Sequence, residues 1–101
     1  RDLNDQLRKT FAGGRVLMTP GIHTLAEETV AKVLHTVQTY DDFCEDNDPY
    51  GTHEYGGFEV DGTRMMFKID AYDVNYEYGS PNPADPEVTR RVLTILLASE
   101  Y

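Results

Sequence analysis

The side chains with the greatest capacity for chemistry in this chain are carboxylates. Residues 41–63 hold eight of them, Asp41, Asp42, Glu45, Asp46, Asp48, Glu54, Glu59 and Asp61, with no Lys or Arg between. Asp70, Asp73, Glu77, Asp85 and Glu87 extend the set. Clustered acids can wrap a hard cation, exchange protons, or offer a negative surface to a basic partner, and each use demands its own spacing. The calcium pattern fails. Counting Asp46 as position one, Asp46-Asn47-Asp48-Pro49-Tyr50-Gly51 puts Tyr50 at the fifth ligand and Gly57 where a bidentate Glu belongs. A magnesium-dependent nuclease core fails too, since Met66 rather than an acid stands two residues before Lys68.

The other reactive types are sparse. His23, His35 and His53 lack short ligand spacing, and a single cysteine, Cys44, cannot complete a thiolate set, so no zinc is expected. One cysteine also rules out an internal disulfide and is compatible with a reducing cytoplasm. Cys44, alone among acids, reads as structural. His53 could form an acid–base pair with Glu54 or Asp48, although a hydrogen-bonded role in a loop is the plainer expectation. His35 reads as a surface residue. No phosphate-binding glycine loop, nucleophile elbow or dinucleotide fingerprint is present. The expectation is therefore a protein that is not an enzyme and has no catalytic residue, no metal and no cofactor.

What remains is the negative surface. Acids on a small protein can simply keep it soluble. They can also imitate a phosphate backbone: duplex DNA displays one charge per roughly 1.7 Å of axis, and proteins that grip it offer rows of Lys and Arg that a decoy can occupy. The same field repels nucleic acid, so direct DNA or RNA binding is not expected. Seven tyrosines, several interleaved with the acids, supply contact area of the type enriched at protein interfaces. The residues expected to meet a partner are Asp41, Asp42, Glu45, Asp46, Asp48, Tyr50, Glu54, Asp70, Asp73 and Glu77.

At 101 residues the chain is the size of one domain, spanning 1–101, and 40% hydrophobic residues suffice for a core. The net charge of −9 is uneven. Residues 1–40 carry five basic and four acidic side chains, whereas residues 41–101 carry fourteen acids against Arg64, Lys68, Arg90 and Arg91. No apolar run approaches the roughly 18 residues of a membrane span, and residues 1–14 have no secretory-signal pattern, so a cytoplasmic location is expected.

The elements that must position the acids follow from periodicity. Leu3, Leu7 and Phe11 predict a helix over 2–12, stopped by Gly13-Gly14. Residues 15–19 read as a strand ending at the turn pair Pro20-Gly21. Thr24-Leu25-Ala26-Glu27 matches a capping box, and Val30, Val33, Leu34, Val37 and Tyr40 predict a helix over 25–40. Residues 41–57 read as a long loop, and Asp61-Gly62 as the turn of a hairpin over 57–70. Residues 72–78 fit either a third antiparallel strand or an aromatic loop. Asp85-Pro86 and the run Val88, Val92, Ile95, Leu96 predict a final helix to residue 99. The fold class expected is α+β, three helices packed on a small antiparallel sheet with a central β-hairpin, in the order α-β-α-β-β-(β)-α.

Asp41-Asp42-Phe43, Glu45-Asp46-Asn47-Asp48-Pro49-Tyr50-Gly51, His53, Gly57-Phe58 and the ending Arg91-Val92-Leu93-Thr94-Ile95-Leu96-Leu97-Ala98-Ser99-Glu100-Tyr101 resemble a bacterial family catalogued as domain of unknown function 3768. The resemblance covers nearly the whole chain. It implies a bacterial setting, often on plasmids or phages, and no catalytic residues. By analogy with small acidic proteins of mobile elements, the expected function is inhibition of a basic nucleic-acid-binding complex, a CRISPR effector or a restriction enzyme. The alternative is a regulatory protein-binding module unrelated to DNA mimicry.

Overall fold

Asp61 and Gly62 take positive φ angles of 49° and 82°. A tight hairpin turn requires this, because its twist then matches that of the strands it joins. It connects β2 (Tyr55–Val60) to β3 (Thr63–Tyr72) in antiparallel register. Phe58, Val60, Met65, Phe67 and Ile69 all point to one face and are buried there. The computed structural model, which describes residues 1–101, is α+β, with a four-stranded mixed sheet and three helices.

The C-terminal segment corrects the sequence reading. Residues 86–99 do not form a helix; Arg90–Leu97 is β4, a central strand antiparallel to β3 and parallel to β1 (Arg15–Met18), giving the order β1-β4-β3-β2. An apolar run buried on both its sides shows no alternation, so Val92 to Leu97 satisfies a broad helical stripe and a buried strand equally. Two features favour the strand: the β-branched Val92, Thr94 and Ile95, and two neighbours with free edges. Asp85, expected to cap that helix, instead accepts a hydrogen bond from the Glu87 N–H within a turn. The sheet is thus mixed rather than antiparallel. Residues 73–78 are a turn rather than a strand, closed by a hydrogen bond from the Asp73 N–H to the Tyr78 carbonyl.

The helices are α1 (Asp2–Thr10), α2 (Pro20–His23) and α3 (Glu27–Thr39). Pro20-Gly21 does not end the strand in a simple turn but opens α2, where proline's missing N–H costs nothing in the first turn. The expected capping box is absent. Ala26 precedes α3, and the Thr24 hydroxyl donates instead to the Gly21 carbonyl. Leu7 on α1 and Val33 and Val37 on α3 are fully buried against Phe67, Leu93 and Ile95, so both helices cover one face of the sheet. Gly56 of β2 leaves room for the Phe67 and Tyr40 rings, which a Cβ there would strike. No helix is long and apolar enough to cross a membrane.

The register puts Leu17, Tyr55, Arg64, Lys68, Asp70 and Tyr72 on the opposite face, which neither α1 nor α3 covers, although Met66, Val92 and Leu96 are buried there. The 73–78 turn folds back toward it, with the Arg15 guanidinium 4.2 Å from the centroid of the Tyr76 ring.

Leu93→Ala should lower stability by about 2–5 kcal/mol in urea denaturation, the cost of a cavity in a core strand. Thr94→Pro should be worse still, because a central strand cannot lose a ladder N–H. A loss below about 1 kcal/mol for Leu93→Ala would contradict the central placement of β4.

Candidate functional site

Between α3 and β2 the chain runs through residues 41–54 without regular structure, yet its backbone is fixed by its own polar groups. The Asn47 side chain donates to the Asp42 carbonyl (2.8 Å) and accepts from the Cys44 N–H (2.9 Å). Asp48 donates its N–H to the Cys44 carbonyl, and its carboxylate accepts from the N–H groups of Thr52 (3.1 Å) and His53 (3.3 Å). These are the Asx contacts that let Asn and Asp replace helix or sheet bonds in a turn. The Tyr40 hydroxyl donates to the Asp42 carbonyl at the entry to the loop.

Beneath the loop lies a buried polar cluster. Arg8 of α1 is 2% exposed. Its Nη1 donates to the Val37 (3.1 Å) and Tyr40 (2.7 Å) carbonyls, at the end of α3 where helical acceptors run out of regular partners. Its Nη2 donates to Asp5 Oδ1 (3.3 Å), and the guanidinium lies 5.3 Å from the centroid of the Phe43 ring. Asp5 Oδ1 also bonds His53 Nδ1 at 2.8 Å, and His53 Nε2 faces Asp48 Oδ2 at 3.6 Å. Phe43 stacks flat on the imidazole, centroids 3.9 Å apart. Both ring nitrogens therefore address carboxylates, and the residue ties α1 to the loop. His53 bonds Asp5 and Asp48 rather than Glu54, and its φ of 58° is tolerated because the surroundings hold it in place. Asn4 adds a second tie, donating to the Thr52 carbonyl at 2.9 Å.

The ten residues expected to meet a partner fall into two groups. Asp41, Asp42, Glu45 and Asp46 are exposed on the loop, Tyr50 is 89% exposed, and Glu54 is exposed where the chain enters β2. Asp48 shares the loop but turns its carboxylate inward. Asp70 lies across the sheet, on the uncovered face, paired with Lys68 Nζ at 3.3 Å. Asp73 accepts from the Asn75 and Glu77 N–H groups in the 73–78 turn, and Glu77 is exposed beside it. Because Phe43 anchors the loop to Phe67 on the helix side, the two groups do not make one continuous strip.

Sequence reasoning missed Asn4, Asp5, Arg8 and Arg91. A faint signal existed, since Asn4 and Arg8 are four apart and flank the Leu7–Phe11 stripe, where a surface helix buries side chains. His35 is exposed, and no group of three or more His, Cys, Asp or Glu side chains is placed to hold a metal ion.

The family model described as "Protein of unknown function (DUF3768)" matches residues 18–100. That span contains the loop, His53 and Arg91, but not α1 with Asp5 and Arg8. No curated protein and no solved structure matches the chain.

Burial pushes the Asp5 carboxyl up, but hydrogen bonds from His53 and Arg8, together with their charges, outweigh it and hold the group below its ordinary value of 3.8. A carboxylate depressed in the folded state stabilises it above the unfolded pKa, and that stability is lost as pH falls through the lower folded value. Asp5→Asn should therefore be less stable than the parent at pH 7, with the gap closing as the pH drops well below 3.8. Thermal melts across that range read the effect, and parallel curves would remove Asp5 from the role. Arg8→Met should cost about 3 kcal/mol or more, because it removes the buried positive charge beside Asp5 and the side-chain donor to the end of α3 together.

Proposed function

We propose that this chain, which belongs to the DUF3768 family of proteins of unknown function, is a non-enzymatic inhibitor that offers its 41–54 loop to a positively charged nucleic-acid-binding surface. The observation that carries this reading is the loop itself: Asp41, Asp42, Glu45, Asp46 and Glu54 are exposed and have no ion-pair partner, with no Lys or Arg between them. Rigid presentation strengthens it, since a preorganised loop loses little entropy on binding. Asp48 serves the loop's shape, and Asp70 and Asp73 are engaged elsewhere, so the contacting set narrows to the loop acids and Tyr50. The partner favoured is a CRISPR effector complex or a restriction enzyme, whose DNA-binding cleft the loop would occupy in place of phosphates.

A second reading has its own support. Leu17, Tyr55 and Tyr78 are exposed apolar or aromatic groups, and the first two lie on the uncovered sheet face. They suit a protein-binding module that owes nothing to DNA mimicry.

The two separate in a competition assay. With purified effector and labelled target DNA, the protein should displace DNA, and its affinity should fall more than about tenfold between roughly 50 and 500 mM salt. The combined variant Asp41→Asn, Asp42→Asn, Glu45→Gln and Asp46→Asn should lose inhibition while melting normally. Salt-independent inhibition, or a fully active variant, would reject the decoy. Capture of a bacterial partner without a basic cleft, lost in Tyr55→Ala, would establish the module instead.

A further inference from the structure

The sheet face turned away from α1 and α3 carries more cations than acids, the reverse of the chain as a whole. In register, Arg15 of β1, Arg64 and Lys68 of β3 and Arg90 of β4 fall on it, against Asp70 of β3 and Glu59 of β2. Lys68 and Asp70 pair with each other, whereas Arg15, Arg64 and Arg90 form no ion pair. One row of register partners, Leu17, Thr94, Lys68 and Tyr55, crosses all four strands among these cations. Its outer members, Leu17 and Tyr55, are 51% and 40% exposed. The face thus offers apolar area flanked by unpaired guanidinium groups, a combination suited to an acidic partner with an aromatic anchor.

A surface of that description lies on the same chain. Asp41, Asp42, Glu45 and Asp46 are exposed and outside any ion pair, and Tyr50 on the same loop is 89% exposed. Phe43 holds the loop to Phe67 on the helix side, so the sheet stands between the two surfaces and one molecule cannot close the contact on itself. Two copies can, head to tail, each giving a different patch.

We propose that the 41–54 loop of one copy docks on the open sheet face of a second copy, its acids against Arg15, Arg64 and Arg90 and Tyr50 against the Leu17–Tyr55 row. The net charge of −9 repels the copies at a distance, but that field is screened over about 8 Å at physiological ionic strength, while the patches act in contact. The association is therefore weak and concentration-dependent, and because its halves differ it adds copies head to tail rather than stopping at a dimer. It uses the loop of the inhibitor reading but needs no nucleic-acid-binding partner, so it stands or falls on the chain alone.

Sedimentation velocity on the purified chain, up to about 1 mM, reads the association. The parent should form larger species as concentration rises, with affinity falling about fivefold or more between roughly 150 and 500 mM salt. The face variant Arg15→Glu, Arg64→Glu and the loop variant Asp41→Asn, Asp42→Asn, Glu45→Gln, Asp46→Asn should each be monomeric alone. Loss in the loop variant is the more telling, since removing acids weakens the general repulsion. Mixed together, the two variants should form a 1:1 pair that grows no further, because each supplies the half the other lacks. All six positions are exposed; should the face variant not melt like the parent, Arg64→Glu alone takes its place. A parent that stays monomeric, a variant that associates like the parent, or a mixture that stays monomeric would overturn the docking. Association indifferent to salt would overturn its ionic basis.

Discussion

The arrangement of helices and loop over the sheet hangs on one buried cation, Arg8. A guanidinium removed from water costs several kcal/mol unless its donors and its charge are met. Here the Asp5 carboxylate answers the charge, two carbonyls at the end of α3 take one nitrogen, and Phe43 provides an aromatic face. Each partner belongs to a different segment, so satisfying Arg8 sets the angle between α1 and α3 and the point where the chain leaves α3. Only the Arg8 Nε remains without an acceptor. Asp5 then reaches His53 with the same oxygen, which draws the far end of the loop onto α1. The loop's polar sequence gives it no core of its own, and its order is borrowed from this cluster.

What the sequence made legible was whatever a local rule governs. Asp61-Gly62 specifies its turn through backbone sterics alone, and the alternation of Met65, Phe67 and Ile69 assigns their face without knowledge of the rest of the chain. Val33 and Val37 declare the buried side of α3 in the same way. The strand β4 was not legible, because an apolar run buried on both faces carries no period and only its neighbours decide its state. Asp48 was readable as an acid but not as an inward one, since its orientation follows from the Thr52 and His53 N–H groups in a turn closed by tertiary contacts. Arg8 and Asp5 looked like ordinary helix charges. The pairing of Asp5 with His53 across 48 residues is a product of packing, which no periodicity announces.

Charge is segregated more sharply than the net value implies. Arg64, Lys68 and Asp70 share the uncovered face of the sheet, where Lys68 and Asp70 offset each other. Lys32 is taken up by Asp61 at the hairpin turn. Arg8 and Arg91 are buried and contribute little to the surface field. The loop acids are therefore the place where negative charge is concentrated outside any ion pair, with Arg1 and Lys9 as neighbours at the Asp41 end. A field of this kind falls off over about 8 Å at physiological ionic strength, so it acts on a surface in contact rather than at a distance.

Arg8 on α1 and Arg91 on β4 are both buried guanidinium groups and receive different answers. Asp5 gives Arg8 a full opposite charge, whereas Asn4, one residue earlier on α1, gives Arg91 only a dipole. The amide has a second duty that a carboxylate cannot perform: its nitrogen donates to the Thr52 carbonyl while its oxygen accepts from Arg91. Anchoring the loop through Asn4 thus requires a neutral side chain at the position nearest Arg91. Because Asn4 is shared, Arg91 of β4 and the Thr52 end of the acidic loop are held by one side chain, and a change at either is felt by the other.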